Sequence, residues 1–129
     1  DVSLMKLKNQ TVEEVLADLE DFYKIFKKHN PKIKIIATVS PVPLNATFNK
    51  DKHVVVANSL SKSTIRVALE YFCNKHKEDV FYFPALEIIT YGCKTPWKSD
   101  MRHVSNESIA KVMKAFQWAF MEDQSNNQI

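Results

Sequence analysis

The apolar residues near the start of the chain repeat with the spacing of an α-helix. Thr11 and Glu14 have the Thr-x-x-Glu form of a capping box, and Asn30 and Pro31 end the pattern. The apolar side chains between these signals recur every three or four residues, at Val12, Val15, Leu16, Leu19, Phe22 and Phe26. The pattern predicts a helix over residues 11–29.

Two short runs rich in β-branched and aromatic residues predict strands. Residues 33–40 read IKIIATVS, and Pro41, which lacks a backbone donor, ends the run. Residues 80–83 read VFYF, and Ile88-Ile89 continue this second strand-like run after an interruption at Pro84. The first run is almost continuously apolar, which is typical of a strand covered on both faces in a parallel sheet.

The remaining periodic segments predict two more helices. Either Ser59 or Ser61 caps the second helix, whose inward face runs over residues 65–76. Ser105 caps the last helix, with an inward stripe formed by Ile109, Val112, Met113, Phe116 and Phe120. The short apolar run Val54–Val56 is either a minor strand or a buried loop segment.

The order helix, strand, helix, strand, helix indicates an α/β fold with a parallel sheet and flanking helices. Two parallel strands alone leave unpaired edges, so we expect strands from a missing N-terminal half, or a second copy in a homo-oligomer, to cover the open edge. Residues 1–122 are predicted to be part of a single domain. Residues 123–129 lack periodicity and are predicted to form a frayed tail.

Composition sets limits on the class of protein. The 129 residues are 45% hydrophobic and 26% charged, with a net charge of +3 that is spread along the chain. The sequence lacks the basic stripe with interleaved aromatic residues that is typical of nucleic-acid binding, so we do not predict binding of this kind. It also has no apolar run that is long enough to span a membrane. Cys73 and Cys93 are too few for a disulfide framework, which fits a cytoplasmic protein. The N-terminal residues do not have the pattern of a signal peptide. Because the first residue is Asp1 and not methionine, we expect a processed or partial chain.

The single glycine, Gly92, excludes several classes of enzyme. Dinucleotide fingerprints and phosphate-binding loops need several glycines, so we predict no nucleotide cofactor. His29, His53 and His76 are scattered without the spacing of metal ligands, so we predict no metal site either.

The strongest chemical signal is an aspartate three residues before a histidine, Asp100 and His103, in a loop that leads into the last helix. A carboxylate at this distance can reach the imidazole, fix its tautomer and stabilise its charged form, as in a Ser-His-Asp hydrolase. The simpler interpretation is that Asp100 only organises the turn before the helix. Both interpretations stay open at this point.

Four blocks of sequence resemble the GSCFA family, in the same order. Residues 30–48 read NPKIKIIATVSPVPLNATF, and residues 56–66 read VANSLSKSTIR. Residues 82–88 read YFPALEI, in which Ala85 and Leu86 replace the usual Ser and Tyr, and residues 100–105 read DMRHVS. The resemblance covers about residues 30–120.

The GSCFA family is similar to the SGNH (GDSL-type) hydrolases. The resemblance therefore implies a flavodoxin-like sheet, a nucleophilic serine in an N-terminal Gly-Ser-Cys-Phe-Ala string, and an acid–base pair formed here by Asp100 and His103. No such string occurs in the 129 residues. The chain is accordingly expected to be the C-terminal portion of the domain, with the nucleophile and the remaining oxyanion-hole donors upstream.

Five other residues are candidates for substrate binding. Ser40 and Pro41 follow the first strand, at the edge of the sheet where open α/β folds bind ligands, although a rigid exit turn explains them at least as well. Ser61 and Lys62 lie in the second family block, although a helix N-cap with a solvated lysine is the simpler explanation. Arg102 could steer an anionic substrate, although an exposed and solvated side chain is the simpler explanation.

Cys93 is an alternative candidate nucleophile, which would act with His103. Cys93 lies ten positions before His103, in a loop predicted to follow a strand, but no pattern in the sequence brings the two together.

The resemblance predicts a serine esterase or an O-acyltransferase that acts on a small-molecule or carbohydrate ester. An alternative from a different class is a non-catalytic relative that binds a glycan or a partner protein through the same cleft.

Overall fold

The computed structural model describes residues 7–121, and the predicted tail lies outside this range. Its elements follow the order α1 (Val12–His29), β1 (Ile35–Ala37), α2 (Val54–Lys75), β2 (Val80–Tyr82), α3 (Ala85–Gly92) and α4 (Asn106–Phe120). This mixture of helices with a parallel sheet is an α/β arrangement. No helix among the described residues is both long and apolar enough to cross a membrane.

The described chain divides into two compact units. Residues 7–39 and 43–82 form the first unit, and residues 40–42 and 83–121 form the second. The first therefore contains α1, α2 and both strands, whereas the second contains α3, α4 and the segment that links them.

The sheet of the first unit pairs β1 with β2 in parallel. Ile35, Ile36 and Ala37 lie opposite Val80, Phe81 and Tyr82. The strand predicted at residues 33–40 is thus only three residues long, because three residues of β2 are all that pair with it. The parallel pairing was predicted correctly, but two strands do not establish a flavodoxin-like sheet.

Helix α1 matches its prediction closely. The Thr11 hydroxyl accepts a hydrogen bond from the Glu14 N–H, and the Glu14 carboxylate accepts one from the Thr11 N–H at 3.0 Å, which completes the capping box. Its apolar face is only partly covered, since Phe22 and Phe26 remain exposed with their rings 4.2 Å apart. The predicted inward stripe is therefore not a fully buried one.

Helix α2 starts earlier than predicted. His53 is its N-cap, because its Nδ1 accepts a hydrogen bond from the Val55 N–H. Val54–Val56 is consequently the first helical turn rather than a strand or a loop segment, and neither Ser59 nor Ser61 is a cap. The inward face was predicted well at its centre, where Ala68, Leu69 and Phe72 are buried.

The run predicted as a second strand splits into two elements. Val80–Tyr82 is a strand, but Ile88 and Ile89 belong to α3, which begins after Pro84. The Ile88 N–H donates to the Pro84 carbonyl, so the proline starts the helix instead of interrupting a strand. Ile89 is buried in the second unit.

The two helices of the first unit run in the same direction. Near their C-terminal ends, the Tyr23 ring stacks on His76 at 3.9 Å, and His76 Nε2 lies 3.0 Å from the Glu20 carboxylate. Asp79 lies between α2 and β2, where it accepts hydrogen bonds from Tyr23 and Lys34 and pairs with Lys27. Hydrogen bonds from Lys27, Lys34 and Tyr23 hold the pKa of Asp79 well below its usual value.

Phe72 is the side chain on which the core of the first unit depends most. It is 1% exposed and makes edge contacts with Tyr23 and His76. We expect Phe72→Ala to lower the free energy of unfolding by about 3–5 kcal/mol, through lost burial and the cavity left behind. Urea unfolding would measure this. The neighbouring exposed Tyr71 gives the control, since Tyr71→Ala should change stability by less than about 0.5 kcal/mol.

Candidate active site

The Asp100–His103 segment is held in a tight loop at the start of α4. Trp97 and Val104 form an antiparallel bridge, and the Lys98 N–H donates to the His103 carbonyl at 2.7 Å. Across the tip, the Met101 N–H donates to the Lys98 carbonyl at 2.9 Å, which closes a β-turn. The backbone itself therefore brings the aspartate and the histidine to the same end of the loop.

Asp100 uses both carboxylate oxygens within this loop. Its Oδ1 accepts hydrogen bonds from the N–H groups of Arg102 and His103, at 3.0 and 2.9 Å. Its Oδ2 contacts His103 Nδ1 directly. The side-chain hydrogen bond with His103, supported by the two backbone donors, lowers the pKa of Asp100 well below its usual value. Asp100 is therefore an ionised acceptor near neutral pH.

The imidazole of His103 faces solvent while its inner nitrogen is occupied. Its side chain is 60% exposed, and among residues 7–121 no group hydrogen-bonds to its Nε2. A carboxylate at Nδ1 favours the tautomer with hydrogen on Nδ1 and a lone pair on Nε2. His103 is thus arranged to accept a proton from outside the loop.

The loop tip carries local backbone strain. Met101, between the two residues of the pair, has a φ of 55°, which is the left-handed region that non-glycine residues seldom adopt. Such conformations cost about 1–3 kcal/mol and are retained where surrounding contacts enforce them. Here those contacts are the Lys98 turn and the two hydrogen bonds to Asp100.

Two serine hydroxyls, of which that of Ser108 is buried, anchor the base of the loop to α4. The Ser105 hydroxyl donates to the Thr95 carbonyl at 2.9 Å and caps α4 by accepting from the Ser108 N–H at 3.3 Å. Ser108 is 2% exposed, and its hydroxyl lies 3.0 Å from that of Ser105. The predicted Ser105 cap is confirmed, and it also fixes the strand-like segment that leads to Trp97.

Removal of this anchor should loosen the loop. We expect Ser105→Ala to destabilise the chain by about 1–2 kcal/mol, because both the helix cap and the bond to Thr95 are lost. Urea unfolding would measure the change. Ser99→Ala in the exposed part of the same loop is the matched control, with an expected change below about 0.5 kcal/mol. Equal losses in the two variants would contradict the proposed anchor.

Arg102 lies next to His103 in the sequence, and the Nε of its guanidinium has no hydrogen-bond partner among residues 7–121. The residue is half-buried, and its Nε is buried. Its backbone N–H, in contrast, is held by Asp100. A guanidinium with unused donors next to His103 is compatible with the predicted contact to an anionic group.

The other sequence candidates fall into both units. Ser40 and Pro41 belong to the second unit, with the Asp100–His103 loop, and the Ser40 hydroxyl accepts from the Val42 N–H at 3.3 Å. Ser61 and Lys62 lie inside α2 in the first unit, where burial lowers the pKa of Lys62. Cys93 follows helix α3 rather than a strand, so that part of its prediction is wrong.

A cavity in the first unit was not predicted from the sequence. Its volume is about 420 Å³, and it lies between the start of α1, the loop around Lys52 and the first half of α2. Ser61 lines it, but so do Lys52 and Thr64, which the sequence analysis did not identify. The spacing of Ser61 and Thr64, one helical turn apart, could have indicated that both side chains lie on the same face of α2. This was not recognised because the start of α2 was predicted too late in the sequence.

Comparison with known proteins gives one match. The model of the GSCFA family matches residues 3–116, whereas no curated protein and no solved structure matches the chain. The match includes all four sequence blocks described above and the whole Asp100–His103 loop. Since it extends over most of the sequence, this chain belongs to the GSCFA family.

Proposed function

We propose that this chain supplies the acid–base half of a serine-dependent ester hydrolase or O-acyltransferase. The observation that carries the proposal is the contact of the Asp100 carboxylate with His103 Nδ1, which leaves an exposed Nε2 as the proton acceptor. Membership of the GSCFA family supports it, because the similarity of that family to SGNH hydrolases implies the same two roles. The nucleophilic serine is proposed to come from polypeptide outside these 129 residues.

In the proposed reaction, His103 acts first as a base and then as an acid. Its Nε2 takes the proton from the serine hydroxyl as the serine oxygen attacks the ester carbonyl. The resulting imidazolium is stabilised by Asp100, and backbone N–H groups hold the oxyanion of the tetrahedral intermediate. As the carbonyl re-forms, the ester C–O bond breaks, and His103 returns the proton to the departing alcohol.

The second half of the reaction decides between hydrolysis and transfer. His103 removes a proton from water or from an acceptor hydroxyl, whose oxygen then attacks the acyl-serine carbonyl. As the bond between the acyl carbon and the serine oxygen breaks, His103 returns that proton to the serine oxygen. Water yields a free acid, while a sugar hydroxyl yields a new ester. A small-molecule or carbohydrate ester is the proposed substrate, with Ser40, Pro41 and Arg102 as proposed contacts in the unit that holds the pair.

Active-site labelling tests this proposal. A fluorophosphonate probe reacts with activated serines, so it should label the polypeptide that joins this chain to the proposed N-terminal segment. Peptide mapping should place the label on the serine of a Gly-Ser-Cys-Phe-Ala-like string, and His103→Ala should abolish labelling. Undiminished labelling of the His103 variant would count against His103 as the base that activates the serine. No labelling of the unmodified protein would count against a serine esterase and favour a binding protein.

A further inference from the structure

The cavity of the first unit lies at the end of the sheet where α/β proteins bind ligands. The pair Tyr23–His76 joins α1 and α2 near their C-terminal ends, so their first turns lie together at the opposite end, around the cavity. Because α2 ends at Lys75 and β2 starts at Val80, the C-terminal end of α2 is next to the start of the strand. The cavity therefore lies toward the carboxyl ends of the strands.

The charge around the cavity is positive. Lys8 and Lys52 line it, and no aspartate or glutamate does. Lys8 is paired with Glu14 at 2.7 Å, whereas Lys52 makes no ion pair with any residue between positions 7 and 121. The first turn of α2 carries no acidic residue and adds the positive end of its dipole to this field, whereas Glu13 and Glu14 offset the dipole of α1. An anion is consequently favoured over a cation or a neutral molecule.

The polar groups of the cavity also have unused hydrogen-bonding capacity. Ser61 and Thr64 lie one turn apart on α2, and neither hydroxyl is bonded to another group in the described part of the chain. Asn49 accepts a hydrogen bond from the Asp51 N–H through its Oδ1, which leaves its amide N–H₂ as a donor. Leu60 and Ile65 form an apolar part of the cavity wall. Such a lining suits a ligand with several hydroxyl groups and an apolar face.

We propose that this cavity binds a small organic anion that carries several hydroxyl groups, through the Lys52 ammonium and the hydroxyls of Ser61 and Thr64. The volume of about 420 Å³ lies within the range of small-molecule sites. The anionic group is a carboxylate or a phosphate, since both suit a lysine. The inference uses only residues of the first unit and does not rest on the proposed esterase activity.

Titration of the 129-residue chain, followed by ¹H–¹⁵N NMR, tests the proposal. Glucuronate and glucose 6-phosphate show whether the bound anionic group is a carboxylate or a phosphate. Glucose is the neutral probe, and inorganic phosphate is the anion that lacks the hydroxyl groups of a sugar. At least one of the two organic anions should give saturable shifts at the amides of Lys52, Ser61 and Thr64. Glucose and inorganic phosphate should bind more weakly, and added salt should weaken binding of the organic anion.

Variants connect these shifts to the proposed contacts. Lys52→Gln should weaken binding about fivefold, which is the usual size of one exposed charge contact. The double change Ser61→Ala and Thr64→Val should weaken it by about five- to tenfold through lost hydrogen bonds. Lys50→Gln is the matched control, since Lys50 lies in the same loop but does not line the cavity, and it should leave binding unchanged.

Four results would overturn the proposal. They are no saturable shift with either organic anion, equal binding of glucose, equal binding of inorganic phosphate, and an equal loss in the Lys50 and Lys52 variants. The exposed Lys52→Gln change keeps the test valid even where the double variant fails to fold. None of these readouts measures ester turnover, so failure of this inference and failure of the proposed function are distinguishable.

Discussion

Replacement of His103 by alanine should lower kcat/KM for an activated acetate ester by about 10³-fold or more, in the polypeptide that also carries the proposed serine. The reason is that Nε2 of His103 is the only proposed acceptor for the serine proton and the donor to the leaving group. The ring is exposed, so its removal leaves no core cavity and the fold should persist. Hydrolysis of 4-nitrophenyl acetate measures the loss.

The control for this experiment is another exposed histidine. His29 lies at the C-terminal end of α1 in the first unit, and His29→Ala should leave turnover within about twofold of the unmodified protein. A comparable fall in both variants would mean that histidine at position 103 has no special role. Turnover that survives in the His103 variant would remove this residue from the reaction.

Asp100→Asn should produce the second-largest effect, a fall in kcat of about 10²- to 10⁴-fold with little change in loop structure. The asparagine Oδ1 can still accept the N–H groups of Arg102 and His103, so the turn is retained. Its amide group, however, places a donor where the carboxylate oxygen faced Nδ1. The ring would then prefer hydrogen on Nε2, the tautomer that cannot accept the serine proton.

The comparison for this variant is Glu107→Gln, which removes an exposed carboxylate from the first turn of α4 in the same unit. Turnover should change less than about threefold, through a slightly weaker helix start. If both substitutions lowered kcat equally, general loss of negative charge would explain the effect. If Asp100→Asn retained full activity, the carboxylate would have only the turn-forming role.

The free energy of unfolding in acid should depend on the ionised carboxylate of Asp100. The folded-state pKa of Asp100 is depressed, so its contribution is present above the unfolded pKa of about 4 and is lost as pH falls through the lower folded value. Asp79 contributes with the same sign in the first unit. The stability due to the two ionised carboxylates should therefore be complete at neutral pH and decline progressively as the pH falls below about 4.

The contact between Asp100 and His103 could be predicted from the sequence because it is local, whereas their proposed acid–base roles rest on the resemblance to the GSCFA family. Asp100 reaches the N–H groups two and three residues ahead and the ring of His103, so spacing alone was sufficient. The anchoring of the loop could not be predicted in the same way. The Ser105–Thr95 bond and the approach of Lys111 to the Gly92 carbonyl join positions ten and nineteen residues apart.

The same distinction explains the errors in the fold. The first helix was found because its capping box and its stop signal are adjacent to an apolar repeat. The start of α2 was missed because a histidine at position 53 is not a usual cap, and three successive valines favour a strand by propensity. The prediction of a strand at Ile88 and Ile89 was wrong for a similar reason. Both residues favour strands by propensity, but they lie in α3, where Ile89 is buried in the second unit.

The central claim is that Asp100 fixes the tautomer of an accessible His103, and ¹⁵N NMR of the imidazole in this chain measures that directly. In the neutral imidazole of His103 we expect hydrogen on Nδ1 and an unprotonated Nε2, with Asp100→Asn reversing the preference. A ring that carries its hydrogen mainly on Nε2, unchanged by Asp100→Asn, would contradict the account.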